Sequence, residues 1–437
     1  MNKFLFKHID NSTLIVFRVC FGFLVIVESF GAIFTGWVKH TFIDPQFTFS
    51  FISFQWLQPL PGNWMYMYYA IMGILGLGIM VGYKYRWSII GFTLLWSVTY
   101  FMQKSSYNNH YYLLILLSAF MAIVPANRYL SLDAKLQPEI KSNAMPNWCR
   151  WIFIAQMLIV YSYAAVAKLY PDWLNLSVIE VLMKDKQGYA LVGELLQQRW
   201  LQAIIAYGGI LYDGLIIPLL LWKPTRKWAF IISIVFHLFN SFVFQIGIFP
   251  YMSLALCLFF FEPKTIQQVF LKKKTYYEGD EVILPNHKKP FVVILTLYFI
   301  IQIALPLRHW FIKDDVLWTE EGHRLSWRMM LRSRSGITNF KVIDKASKVE
   351  IPIKLEDYLT AKQIRNVKTK PDMMWQFAQY LKRSYAKNGL DIEVYVNSYL
   401  KVNDNPIKPF INPDVDLANV KWEPFKHSSW ILPSKQD

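Results

Sequence analysis

Cysteine is scarce, with three residues in 437. Cys20, Cys149 and Cys257 all lie in or beside apolar runs, and none falls in the tail from Arg308 onward. That tail therefore holds no internal disulfide. No CxxC pair, HExxH or other Cys/His spacing marks a metal centre. There is no Walker loop and no GxGxxG cradle. These absences exclude the familiar zinc, P-loop and dinucleotide signatures, and no metal is expected. Charged residues make up only 17% of the chain, and acids are the minority, so the formal net charge is +16.

What replaces charge is apolar surface. Hydrophobic residues reach 54% and aromatics 17%, and they fall in long runs rather than alternating. This pattern predicts an integral, multi-pass membrane protein: a polytopic α-helical bundle of about nine spans, or eight, followed by a small α+β domain outside the cytoplasm. The expected division is residues 1–307 for the helical domain and 308–437 for the extracytoplasmic domain. Lys3 and Lys7 precede the first run, but that run is too long for a signal-peptide core and lacks a cleavage site. An uncleaved anchor is expected. In chain order the spans are expected at Thr13 to Phe34, Trp64 to Tyr83, Trp87 to Met102, Tyr111 to Pro125 and Trp148 to Lys168. The rest are expected at Ala203 to Trp222, Trp228 to Phe244, Phe249 to Phe261 and Phe291 to Leu307. The fourth and eighth are short of the roughly 20 residues that a full crossing needs.

Loop charge sets the expected orientation. One set of loops holds 17 Lys and Arg, including Lys84, Arg128, Lys223 and the Lys272–Lys274 run, against 6 in the other set. The positive-inside rule then places the N-terminus in the cytoplasm, and nine spans leave the tail outside. A bacterial cytoplasmic membrane is the expected site. The tail carries 22 Lys and Arg against 16 Asp and Glu, so +10 belongs to the membrane half. Basic cytoplasmic loops explain that excess, and nucleic acid is not expected as a partner. Within the tail, Phe340 to Ile353 reads as a hairpin turning near Lys345–Ser347, Asp372 to Lys387 as a helix and Ile392 to Val402 as a strand.

Polar groups inside spans are costly in lipid and functional by default. Arg18, Glu28, Asp213, His237 and Asn240 qualify. Arg18 and Asp213 are expected either to neutralise each other or to serve a site. His237 reads first as a hydrogen-bonded histidine of the bundle. Lys168 ends an apolar helix in the stretch YSYAAVAKLYPDW. It has two uses: snorkelling to lipid headgroups, or acting as a base in a desolvated pocket. Position alone favours snorkelling. The stretch YNNHYY, with Asn109 and His110, reaches the same membrane face and weighs toward the base.

Several motifs resemble those of one family. They are YNNHYYL at Tyr107–Leu113, VAKLYPDW at Val166–Trp173, GGILYDG at Gly208–Gly214 and FHLFNSFVFQIGIFPY at Phe236–Tyr251. The tail adds LPLRH at Leu305–His309, LWTEEGHRLSWRMMLRSRS at Leu317–Ser335 and NPDVDLANVKWEPFKHSSWILP at Asn412–Pro433. Together they resemble the vitamin K-dependent gamma-glutamyl carboxylases and their bacterial relatives, which carry a horizontally transferred transmembrane (HTTM) domain. The resemblance runs nearly end to end and in the same order.

It implies an integral membrane enzyme of the lyase class. A reduced quinol of the vitamin K or menaquinol type reacts with O2 and leaves as the epoxide. The strongly basic oxygenated quinone removes a γ-hydrogen from glutamate, and the carbanion takes up CO2. The family's base falls on Lys168 and its catalytic histidine on His110, with Asn109 beside it. A lysine must be unprotonated to act as a base. Met329 and Met330 match a methionine pair and are assigned to the quinol, together with His237 and Asn240. The implied partners are a glutamate-containing protein or peptide, the quinol and membrane lipids. Two departures stand out. The animal enzymes continue into a large lumenal region that helps recognise propeptides, and that mode is not carried over. They also show an acid and a histidine where this chain has Arg328 and Arg332. Arg324, Arg328 and Arg332 lie four apart, so on a helix they would share a face and meet an anion, either a substrate carboxylate or lipid headgroups. Two rivals remain: a quinol epoxidase that does not carboxylate, and a non-catalytic protein that binds lipid or quinone.

Overall fold

A computed structural model describes residues 2–435. Among the described residues nine apolar helices stand at the positions where nine spans were expected. They are α1 (Ser12–Phe34), α2 (Trp64–Val81), α3 (Tyr85–Met102), α4 (Asn109–Ile123), α5 (Trp148–Ala167), α6 (Arg199–Leu221), α7 (Arg226–Phe244), α8 (Phe249–Leu256) and α9 (Lys288–Leu307). Six of them, α1, α2, α5, α6, α7 and α9, are long and apolar enough to cross a membrane. The other three fall short for different reasons. The eighteen residues of α3 include Arg86 and are rich in Trp, Tyr, Ser and Thr. At fifteen residues, α4 is about 22 Å long against a hydrocarbon core of about 30 Å. In α8 the helix tightens to a 3-10 turn after eight residues. The start of α6 lies four residues before its expected position, because its first turn is polar. There Gln202 donates back to the Leu196 carbonyl at 3.1 Å.

Bilayer-facing sides stay apolar. Along α9, Val293, Ile294, Leu297, Ile300 and Ile301 are each more than half exposed, as suits a helix that faces lipid. Inside the bundle small residues allow close approach. A Cβ added to Gly22 would sit 2.5 Å from the Met80 backbone nitrogen, so the α1–α2 crossing requires glycine there. Just before α1, Lys274 Nζ meets Asp10 Oδ2 at 2.5 Å with both side chains fully buried, tying the segment after α8 to the N-terminal segment.

Of the two readings of Arg18 and Asp213, mutual neutralisation does not hold. Arg18 donates to the Leu130 carbonyl, and Asp213 faces Lys168 instead. Helix packing decides this, since α5 lies against α6 with Ala165 beside Gly214.

The tail is an antiparallel four-stranded sheet in the order β2-β1-β3-β4. Its strands are β1 (Arg334–Asp344), β2 (Glu350–Ile351), β3 (Ile392–Val402) and β4 (Lys408–Ile411). Helices α10 (Ala361–Val367) and α11 (Pro371–Ala386) complete it. The hairpin turns as expected, with Ser347 Oγ donating to Asp344 Oδ2 at 2.5 Å, although β2 is only two residues long. Alternating burial along β3 places Val394, Val396 and Leu400 in a core with Phe377 and Leu381 of α11. That core is shared with the membrane half: Phe49, Ala167, Trp173 and Leu176 belong to it. Gln363 donates to the Phe47 carbonyl at 2.7 Å, Gln376 to the Ser50 carbonyl at 3.0 Å, and Tyr380 stacks on Phe47. The tail is docked rather than tethered.

Candidate active site

Lys168 caps the end of α5. Its side chain turns back along the helix and donates to the Ala164 carbonyl at 3.1 Å and to Asp213 Oδ2 at 2.5 Å. The two side chains are 11% and 7% exposed. Trp173, two residues after the Pro171 break, lies with its ring 5.4 Å from the Lys168 nitrogen. Lys168 is therefore buried and paired instead of snorkelling. Asp213 was marked by sequence as a costly intramembrane acid, but its partner was not legible.

A second polar group stands nearby on the same helices. Asp213 follows Tyr212, whose hydroxyl meets His237 Nε2 at 3.1 Å; the hydroxyl of Tyr161 on α5 meets the same nitrogen at 3.0 Å. The His237 ring stands edge-on to Phe249, with centroids 6.0 Å apart, and Phe249 stacks on His110 at 4.0 Å. Both ring nitrogens of His110 are without hydrogen bonds among the described residues, and the ring faces a cavity of about 570 Å³.

That cavity has two characters. One wall is apolar, from Leu113, Leu114, Leu117, Ile248, Phe249 and Met252. The other carries Arg324, Arg328, Arg332 and Lys370 with Glu320 and His323. Asn109, His110, Met329 and Met330 join the two walls. Seven of the ten assigned site residues thus line one cavity. Lys168, His237 and Asn240 do not. His237 is engaged by two tyrosines, and Asn240 donates to the Phe236 carbonyl within its own helix at 2.9 Å.

The three arginines do converge, but not by sharing a helix face. Residues 320–333 form turns, with Glu320, Leu325, Trp327 and Met330 all at positive φ. Each left-handed residue costs about 1–2 kcal/mol, so outside contacts must hold the loop. They are visible. Tyr107 Oη accepts from the Leu325 amide at 2.7 Å and donates to Asn109 Oδ1, and Asn109 Nδ2 donates to the Arg328 carbonyl at 3.0 Å. The Tyr170 hydroxyl donates to the Leu331 carbonyl. Asn109 therefore positions the loop through its backbone. Gly322 lies on the same loop at φ +75°, and a Cβ there would sit 2.7 Å from the His309 Cβ.

Electrostatics at the charged wall are those of a buried cation cluster. Burial alone would raise the Asp372 carboxyl, but Arg324 and Lys104 outweigh it and hold it well below the usual carboxylate range. Glu320 is likewise held low, burial being outweighed by Arg332. Burial, reinforced by Arg324, pushes the Lys370 ammonium down to about 7. Sequence inspection passed over Glu320, His323, Lys370 and Asp372. The first two lie inside the motif that supplied the arginines, which was the available signal.

A second cavity, of about 790 Å³, lies on the other side of Arg328, between Tyr170, His309, Trp318 and Val402. Among the described residues no cluster of His, Cys, Asp and Glu is placed to hold a metal.

A bundle with six helices able to cross a membrane, joined through a cationic cavity to an α+β domain, defines an integral membrane protein with a candidate site between the two parts. The HTTM domain family matches residues 6–264, and the vitamin K-dependent gamma-carboxylase lumenal domain matches residues 287–437. The chain belongs to the vitamin K-dependent gamma-carboxylase family. No solved structure matches it.

Proposed function

We propose that the chain is a gamma-glutamyl carboxylase-like enzyme of the bacterial cytoplasmic membrane, with its N-terminus inside. It couples oxygenation of a reduced vitamin K or menaquinol-type quinol to the carboxylation of glutamate in a protein or peptide. Residues 1–307 supply the base and most of the quinol site, and residues 308–437 add Met329 and Met330 and close the site from outside. The observation that carries this reading is the buried Lys168–Asp213 pair, set in the same helical bundle as the cavity wall on which His110 stands.

The cavity fits a flat aromatic ligand with an isoprenoid tail. Met329, Met330, Phe249 and Met252 offer soft apolar surface, and the unpartnered His110 nitrogens offer a polar contact at one edge. With O2, the bound quinol supplies a base stronger than any side chain. The protein's own groups do the rest. An amine accepts a proton only when free, and Asp213 Oδ2 stands 2.5 Å from Lys168 Nζ. Transfer of one proton across that contact leaves the free amine and a neutral acid. His110 stabilises oxygen-centred charge by hydrogen bonding. The buried Trp327 and Leu331 keep water out behind the loop.

The test uses full-length protein in nanodiscs with a reduced naphthoquinol, O2, labelled bicarbonate and a glutamate-rich peptide. Epoxide and fixed label should both form. Both should fall about 10²–10⁴-fold in Lys168→Ala. His110→Phe, which preserves the stack on Phe249, should fold normally and lose turnover. Epoxide without label in the presence of several peptides would refute carboxylation, and neither product would refute the enzyme reading.

A further inference from the structure

Four cations line the charged wall, and two of them are already used. Arg324 donates to both oxygens of Asp372, at 2.7 and 3.2 Å, and Arg332 to both oxygens of Glu320, at 2.5 and 2.6 Å. Lys104 takes a further place on Asp372 at 2.5 Å, and Arg334 Nη1 stands 3.5 Å from Glu320. Glu320 on the wall and Asp372 behind it are each already held by two cations.

Arg328 and Lys370 form no ion pair among the described residues. His309 Nδ1 faces the Pro306 carbonyl at 2.7 Å, so that nitrogen carries the hydrogen and Nε2 is left as an acceptor. Arg328 Nη1 reaches this uncharged nitrogen at 3.4 Å, and Arg328 Nε is buried with no hydrogen-bond partner among the described residues. Arg328 is nevertheless only 9% exposed. Lys370 directly precedes α11, and its side chain lines the cavity and keeps access to it. An uncompensated buried guanidinium is costly, and with the half-buried Lys370 lining the same cavity it marks a place built for an anion.

We infer that Arg328 and Lys370 together form the receptor for a single carboxylate-type anion, while Arg324 and Arg332 are positioning residues committed to Asp372 and Glu320. A guanidinium fork and an ammonium point charge suit the two oxygens of one carboxylate. On the carboxylase reading that anion is the γ-carboxylate of the glutamate to be modified; bicarbonate presents the same chemistry. Arg328 also borders the second cavity, so an extended peptide could lie there and send its carboxylate past Arg328 toward His110.

Calorimetry on full-length protein in nanodiscs tests this without turnover. The probes are a blocked tripeptide with one central glutamate, its glutamine counterpart, and sodium bicarbonate. The glutamate peptide should bind at least about tenfold more tightly than the glutamine peptide, the scale of a charged hydrogen bond. Lys370→Met should remove about tenfold to a hundredfold of that affinity, and Lys370→Arg should restore most of it. Lys370-dependent binding of bicarbonate, and not of the peptide, would uphold the receptor and assign it to the inorganic anion. Equal binding of the two peptides with no bicarbonate binding would overturn it. So would a folded Lys370→Met protein with unchanged affinity. If the peptide binds as expected and no label is ever fixed, the receptor stands and the carboxylase reading fails.

Discussion

The Lys168–Asp213 pair can be separated into its structural and chemical parts by a double-mutant cycle. Both side chains are almost wholly buried and their contact is 2.5 Å. Removing one partner strands a charge in a low-dielectric bundle, at a cost of about 3–5 kcal/mol. Replacing both with apolar groups of similar size is close to neutral, or stabilising by about 1–4 kcal/mol. Lys168→Met and Asp213→Leu should therefore each lower the unfolding midpoint in nanodiscs, on the order of 10 °C. The double variant should recover it. Turnover should not recover, because no amine remains; a loss of 10²–10⁴-fold corresponds to about 2.7–5.4 kcal/mol of barrier. The cycle is read by thermal unfolding followed by tryptophan fluorescence, with epoxide formation measured in parallel. A double variant that is stable and still turns over would reduce the pair to a structural element. Single variants as stable as the parent would contradict its burial.

Three further outcomes follow from named contacts. Gly322→Ala must place a Cβ 2.7 Å from His309 at a backbone angle that favours glycine, so it should destabilise by more than about 1 kcal/mol, read as a lower unfolding midpoint. Asp372 is held low by Arg324 and Lys104, so its contribution is present above the free carboxylate value of about 3.9 and is lost as pH falls below it. Unfolding midpoints should hold between pH 6 and pH 5, fall progressively as pH drops below about 4 in the parent, and fall less in Asp372→Asn. Lys370 faces Arg324, Arg332, Glu320 and Asp372 and is cationic only below about 7. Glutamate-peptide affinity should therefore weaken as pH rises through that value, and Lys370→Arg should flatten the profile.

The membrane class, the nine helices and the strand Ile392–Val402 were legible in the sequence. Apolar runs and two-residue alternation are local properties of the chain, and lipid or a sheet face can accept them in only one way. The family was legible for a related reason: motifs such as YNNHYYL and VAKLYPDW are contiguous. Residues that serve the site from a distance were harder to read. Spacing suggested one helical face for Arg324, Arg328 and Arg332, whereas the loop is non-helical and brings them together through positive-φ turns clamped by Tyr107, Asn109 and Tyr170.

Partner choice among buried charges was decided only by tertiary structure. Arg18 and Asp213 looked complementary as isolated intramembrane charges, yet the packing of α5 on α6 gave Asp213 to Lys168 and left Arg18 to the carbonyl of Leu130. Lys370 looked like any lysine before a helix until docking of the tail set it in the His110 cavity near two acids already held by other cations. A sequence records which charges exist. Coulomb energy and desolvation depend on which of them end within a few ångströms of each other, and only the folded chain settles those distances.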